Sequence, residues 1–197
     1  MTPSTSRVLT HPLAFIGGGN MARSLIGGLI KRGADPSRIR VAEPNEPLRA
    51  ALAADFGVQV FTEAGEAANG ADTWLFAVKP QVMRTVCESL APMAQAQRPL
   101  VVSIAAGITV AQMQRWLGGG VPVVRSMPNT PALLGAGVTG LHASGEVDAT
   151  GRERAELLLS AAGPTVWIDA EAKMDAVTGV SGSGPAYVFL LAEAMVD

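Results

Sequence analysis

Residues 13–33 read LAFIGGGNMARSLIGGLIKRG, and the fold turns on what surrounds their first glycines. A short apolar run ends at Ile16, the pattern G-x-G-x-x-A follows as Gly17, Gly19 and Ala22, and an amphipathic helix period takes over from Asn20. Strand, tight turn and helix in that order give a glycine pattern meaning that it lacks on its own. Gly17 permits the turn and Gly19 lets backbone approach a pyrophosphate. Small Ala22 lets helix and strand pack closely while the helix N-terminus faces the anion. The stretch predicts a dinucleotide site.

The same unit repeats downstream. The segments 12-PLAFIG, 38-RIRVAE, 57-GVQVF, 72-DTWLFAV and 99-PLVVSIAA have strand character, with helices beginning near Asn20, Pro47, Glu63, Pro80 and Thr109. Strands alternating with helices imply right-handed crossovers and a parallel sheet covered on both faces. The near-continuous apolar runs suit strands buried on both sides. Beyond Trp116, the segments 121-VPVVRSMPNTP and 136-AGVTGLHA, a helix around 150-TGRERAELLLSAAG and a last strand 164-PTVWID form the sheet's far edge. From Ala170 only helix is expected. The class is α/β, a Rossmann-like, doubly wound, mostly parallel sheet over 12–168, preceded by a loose tail over 1–11 and followed by helices over 169–197.

Composition narrows the function. Hydrophobic residues are 48% and charged residues 16% of 197, which excludes a disordered chain. A net charge of -2 without a Lys/Arg run offers no footprint for nucleic acid or an anionic membrane. No apolar run reaches about 18 residues, and the polar, proline-broken N-terminus is no signal peptide. The lone Cys87 rules out an intramolecular disulfide, and His11 and His142 lack ligand spacing, so no metal site is expected. A cytoplasmic setting with small-molecule or protein partners follows.

Further site candidates lie at strand ends. Glu43, 21 residues past Ala22, ends the second strand where a carboxylate would meet the adenosine ribose and repel a 2′-phosphate. Arg40 and Arg49 lie close by and could pair with such a phosphate, so NADH and NADPH both stay open. Lys79 follows the fourth strand and looks onto the same crevice, or is a solvated surface lysine. The small residues of 103-SIAAG suit a flat nicotinamide ring, or plain close packing. Cys87 falls inside an amphipathic helix without a basic neighbour, as a core thiol does. His142, in an edge-strand segment, receives no role, and Arg152, Glu153, Arg154 and Glu156 read as a solvated helix face. No catalytic side chain stands out.

The ending, 178-TGVSGSGPAYVFLLAEAMVD-197, places a turn at Gly182, Ser183 and Gly184 before a helix starting at Pro185. That helix is apolar on nearly every face, so a surface helix does not fit it.

Taken in order, FIGGGNMA (15–22), AVKPQ (77–81), VVSIAAG (101–107), RSMPNTPA (125–132) and AVTGVSGSGPAY (176–187) resemble the pyrroline-5-carboxylate reductase family from about Leu13 to Asp197. The resemblance implies hydride transfer from NADPH or NADH to the C=N bond of 1-pyrroline-5-carboxylate, giving L-proline. A cyclic imine protonates readily, so positioning supplies most of the rate without a strong general acid. By that resemblance Ile16, Gly17, Gly18, Gly19, Asn20, Met21 and Ala22 hold the pyrophosphate, and Ala42, Glu43 and Pro44 the adenosine ribose. Ala77, Val78, Lys79 and Pro80 face the middle of the cofactor, and Ser103, Ile104 and Ala105 its nicotinamide end. Met127, Pro128 and Asn129 line the crevice near the reacting atoms, with Ser183 and Gly184 on the substrate side.

Two departures qualify the resemblance. Many relatives carry small hydroxyl residues where this chain has Glu43, which weakens any carry-over of NADPH preference. Relatives also continue through further helices that build the dimer and grip the substrate carboxylate. The expectation is therefore that 1–197 is a fragment whose terminal helix is the first half of a longer one, buried against a second subunit. At about 25 cal/mol per Å², leaving Phe189, Leu190, Leu191 and Met195 in water disfavours the lone chain by several kcal/mol and invites self-association. A silent dinucleotide-binding module that associates through this helix is the competing reading. A 3-hydroxy-acid dehydrogenase is disfavoured, because Tyr187 and Glu193 are the only polar groups inside the helix and none is basic.

Overall fold

The computed structural model describes residues 11–196. Apart from His11, whose Nδ1 lies 2.9 Å from Asp72 Oδ2, the expected tail falls outside the described residues. Among the described residues the strands are β1 Leu13–Ile16, β2 Ile39–Ala42, β3 Gln59–Phe61, β4 Thr73–Phe76, β5 Leu100–Ser103, β6 Val123–Met127, β7 Thr139–Ala143 and β8 Thr165–Trp167. The helices are α1 Asn20–Lys31, α2 Glu46–Phe56, α3 Ala64–Ala68, α4 Pro80–Gln97, α5 Val110–Trp116, α6 Ala149–Leu159, α7 Met174–Val177 and α8 Gly184–Val196. One sheet runs in the order β3-β2-β1-β4-β5-β6-β7-β8. β1 to β6 are parallel, β7 is antiparallel to β6, and β8 runs parallel to β7.

Alternation along β1 sorts the core into two layers. Leu13 and Phe15 pack with Leu25, Ile26 and Leu29 of α1, Leu52 of α2 and Leu158 of α6. Ala14 and Ile16 pack on the other face with Trp74, Phe76, Met83, Cys87 and Met113, under α4 and α5. All four residues of β1, and all four of β4, are buried, which is why neither strand shows polar alternation. Trp74 stays buried because its Nε1–H reaches the carbonyls of Ala68 and Ala71 at 3.1 and 3.0 Å. Helix starts follow local chemistry. Asn45 Oδ1 accepts from Leu48 N–H at the head of α2, and Thr109 and Gln112 form a capping box at α5.

The structure corrects two readings of the second half and adds contacts to a third. The turn expected over Gly182, Ser183 and Gly184 narrows to Ser183, between a π-helical residue and the first residue of α8. Thr178–Gly182 is a π-helical stretch that links α7 to α8, with Ser183 N–H donating to Thr178 O at 2.9 Å. Proline lacks the N–H that would close an ordinary α bond at residue 185, and the wider π turn accommodates the irregularity just before it. His142 is in β7, which has a strand on each side, and its Nδ1 lies 3.0 Å from Ile168 O. The charged face of α6 is partly engaged: the Arg152 guanidinium lies 4.7 Å from the Trp167 ring centroid, and Trp167 Nε1–H donates to Glu156 Oε2. Arg152 and Glu156 stay exposed, so these long side chains meet Trp167 along one side while their face remains in water.

Candidate functional site

The strand order reverses between β1 and β4, and doubly wound sheets take ligands in the crevice outside the carboxyl ends of their strands at such a point. Its floor is the glycine loop. Gly17 has φ +107°, and a Cβ on it would lie 2.7 Å from Ala77 O, so no other residue fits this crossing of the β1 and β4 ends. The Gly17 N–H donates to Ala42 O at 2.9 Å, and Ala77 N–H to Ile16 O at 2.8 Å, so the ends of three strands are tied to one another. Gly19 is the N-cap of α1, and a Cβ placed there meets nothing within 4 Å. No side chain caps α1. The first N–H groups of a twelve-residue helix, those of Asn20, Met21 and Ala22, are therefore left without a side-chain cap, with the positive end of the helix dipole behind them. Ala22 is fully buried against the sheet.

Glu43 is the turning point of the neighbouring loop. It is 9% exposed, its Oε2 accepts from Gly18 N–H at 3.0 Å and its Oε1 from Asn45 N–H at 2.9 Å. The solvated glutamate is thus ruled out by geometry. Pro44 beside it is exposed, and Ala42 is buried. Arg49 Nη1 donates to the carbonyls of Glu43 and Pro44 at 2.9 and 3.2 Å. Arg40 does not meet the expectation that it stands ready for a phosphate. Its guanidinium donates to Glu66 O and Asn69 O at the end of α3 and stacks 4.8 Å from the Phe61 ring centroid. The alternation of β2 points Arg40 away from the loop that holds Glu43.

On the β4 side, Ala77 and Val78 are half-buried, Lys79 is an exposed N-cap of α4, and Pro80 opens that helix. α4 too lacks a side-chain cap. Next along, Ser103 is fully buried. Its Oγ accepts from Ala105 N–H at 3.2 Å, its carbonyl accepts from Ser126 Oγ at 2.8 Å, and Ile104 N–H reaches Phe76 O. Met127 ends β6, Pro128 is buried, and Asn129 Oδ1 accepts from Val138 N–H at 2.9 Å. The π-helical stretch reaches this end of the sheet: a Cβ on Gly182 would lie 2.7 Å from Met127 Cε, and Ser183 and Gly184 follow it, half-buried. Cys87 is remote from this rim. It is fully buried under the sheet, and burial pushes its thiol up to about 12.

Comparison with known proteins follows this geometry. The family model for NADP oxidoreductase, coenzyme F420-dependent, matches residues 12–107, and the pyrroline-5-carboxylate reductase dimerisation model matches 171–197. The pyrroline-5-carboxylate reductase of Pseudomonas aeruginosa is 52% identical over 188 residues, covering 95% of this chain and 68% of that protein. The chain belongs to the pyrroline-5-carboxylate reductase family. The solved pyrroline-5-carboxylate reductase of Coxiella burnetii superposes with a TM-score of 0.90 at 39% identity, over 94% of this chain and 68% of that one. The pyrroline carboxylate reductase of Plasmodium falciparum, solved with NADP bound, gives 0.83 at 26% identity, over 95% and 68%.

Within this reductase family frame, sequence reading missed one group beside the crevice. Arg125, in β6 opposite Ser103 of β5, is 5% exposed and pairs with Glu171 and Asp175 at 3.1 and 3.4 Å. Glu171 Oε1 also accepts from Val110 N–H at 2.8 Å, at the head of α5. The available signal was an arginine inside the apolar run VPVVRSM, since a buried charge needs a partner. Self-association is consistent with the dimerisation match, and no described helix is long and apolar enough to cross a membrane.

Proposed function

We propose that this chain reduces 1-pyrroline-5-carboxylate to L-proline by hydride transfer from NAD(P)H, the last step of proline biosynthesis. The observation that carries the reading is the uncapped N-terminus of α1 behind Gly19, with open space where a side chain would sit, in a chain 52% identical to a reductase of that name. That vacancy and those N–H donors fit a pyrophosphate, which is where the dinucleotide fold puts it.

The nicotinamide, when bound, supplies the hydride. The loop from Ile16 to Ala22 holds the pyrophosphate, Ala42, Glu43 and Pro44 hold the adenosine ribose, and Ala77 to Pro80 hold the cofactor's middle. Ser103, Ile104 and Ala105 form a flat bed for the ring. Its rigidity comes from the hydrogen bonds of Ser103 to Ala105 N–H and Ser126 Oγ. Met127, Pro128 and Asn129, with Ser183 and Gly184, present the imine carbon to that bed. The imine nitrogen takes its proton from water, and orientation accounts for most of the acceleration. Residues 12–168 act as the dinucleotide-binding domain. Residues 169–197 begin a helical domain, whose apolar α8 carries self-association between copies. A cytoplasmic setting accords with Cys87 being a buried free thiol.

NAD(P)H oxidation with 1-pyrroline-5-carboxylate, run beside a cofactor titration of the same sample, tests the proposal. Imine-dependent oxidation with L-proline as product supports it. Cofactor binding without oxidation rejects turnover by this chain and favours the silent binding module.

A further inference from the structure

Resting on the dinucleotide reading above, we propose that Glu43 makes this chain selective for NADH over NADPH. A 2′-phosphate offers only acceptor oxygens at neutral pH and needs donors or cations around it. At the end of β2 the two backbone donors, Gly18 N–H and Asn45 N–H, are already spent on the two oxygens of Glu43. A carboxylate with 9% exposure would face a phosphate in a poorly solvated site, where like charges repel strongly.

The cations that could offset this are committed. Arg40 is drawn onto the carbonyls of Glu66 and Asn69 and the Phe61 ring, and Arg49 onto the carbonyls of Glu43 and Pro44. A ribose diol, by contrast, brings hydroxyl donors, and each Glu43 oxygen has a second lone pair to accept one. The donor set at this loop therefore fits NADH, in contrast to the relative solved with NADP.

Fluorescence titration of NADH and NADPH without substrate tests this on the unaltered chain, Glu43→Gln and Glu43→Ser. The unaltered chain is expected to bind NADH at least about tenfold more tightly than NADPH. Glu43→Gln keeps an acceptor for Gly18 N–H but loses the charge, so the ratio should narrow. Glu43→Ser should narrow it further by freeing Gly18 N–H and Asn45 N–H for the phosphate. Equal or tighter NADPH binding by the unaltered chain overturns the proposal, as does an unchanged ratio in a folded Glu43→Gln variant. Should the variants not fold, the ratio in the unaltered chain decides. Failure of either dinucleotide to bind the unaltered chain overturns the underlying dinucleotide reading instead.

Discussion

Arg125 Nη1 lies 3.1 Å from Glu171 Oε1, and this ion pair joins the sheet to the helices that follow it. The arginine is almost wholly enclosed, Glu171 is about a quarter exposed, and Asp175 is largely in water. The three partners should therefore contribute unequally. Arg125→Ala is expected to destabilise the fold by about 3 kcal/mol, since it leaves Glu171 without its partner. Asp175→Ala should change stability by less than about 1 kcal/mol. Urea denaturation of both variants checks the order, and equal effects would count against the joint.

Gly17 and Gly19 should separate folding from binding. Gly17→Ala forces a Cβ to 2.7 Å from Ala77 O at φ +107° and should cost about 2–3 kcal/mol of stability. Gly19→Ala meets open space and should stay within about 1 kcal/mol of the parent. Its methyl group points where the pyrophosphate is proposed to lie, so dinucleotide affinity should fall about tenfold or more. Thermal melts and cofactor titration on both variants distinguish the two outcomes.

Cys87 makes a signed prediction in alkali. Its thiol is held near 12 in the fold, against 9.0 for the free side chain. The unfolded chain thus releases a proton that the folded chain retains between those values. The contribution is fully present below pH 9 and drains away as pH rises toward 12, at up to about 1.4 kcal/mol per pH unit. Comparing pH-stability profiles with those of Cys87→Ala isolates it, because the variant lacks that component while other groups still titrate. In native protein at pH 8, thiol reagents should label Cys87 only as fast as the fold opens.

Helix α8 exposes Phe189, Leu190 and Leu191 by 61%, 65% and 62%. Replacing Leu190 with Asp should leave single-chain stability within about 0.5 kcal/mol, because the side chain packs little in the described chain. Sedimentation should show weaker self-association at the same concentration. An unchanged association constant would place the contact between copies elsewhere.

Much of the architecture was legible in the order of residues. The strand into Ile16, the turn at Gly17 and the helix from Asn20 are local: φ freedom, side-chain period and missing side chains act within a few residues of each other. Pro80 and Thr109 marked the starts of α4 and α5 for the same reason, through donors the helix ends leave over. The antiparallel pairing of β7 with β6 and the π-helical passage through 178–182 were not legible. Both depend on how a segment meets a surface made elsewhere in the chain.

By itself, the sequence determined the doubly wound sheet, the glycine loop and its place beside Glu43, because hydrophobic period and backbone sterics act along the chain. Only the tertiary structure decided who satisfies whom. Glu43 meets Gly18 across 25 residues, Arg40 turns to Asn69 across 29, and Arg125 finds Glu171 across 46. A buried polar group takes whichever complementary partner the packed core brings within about 3 Å. That distance is set by the summed geometry of every intervening element.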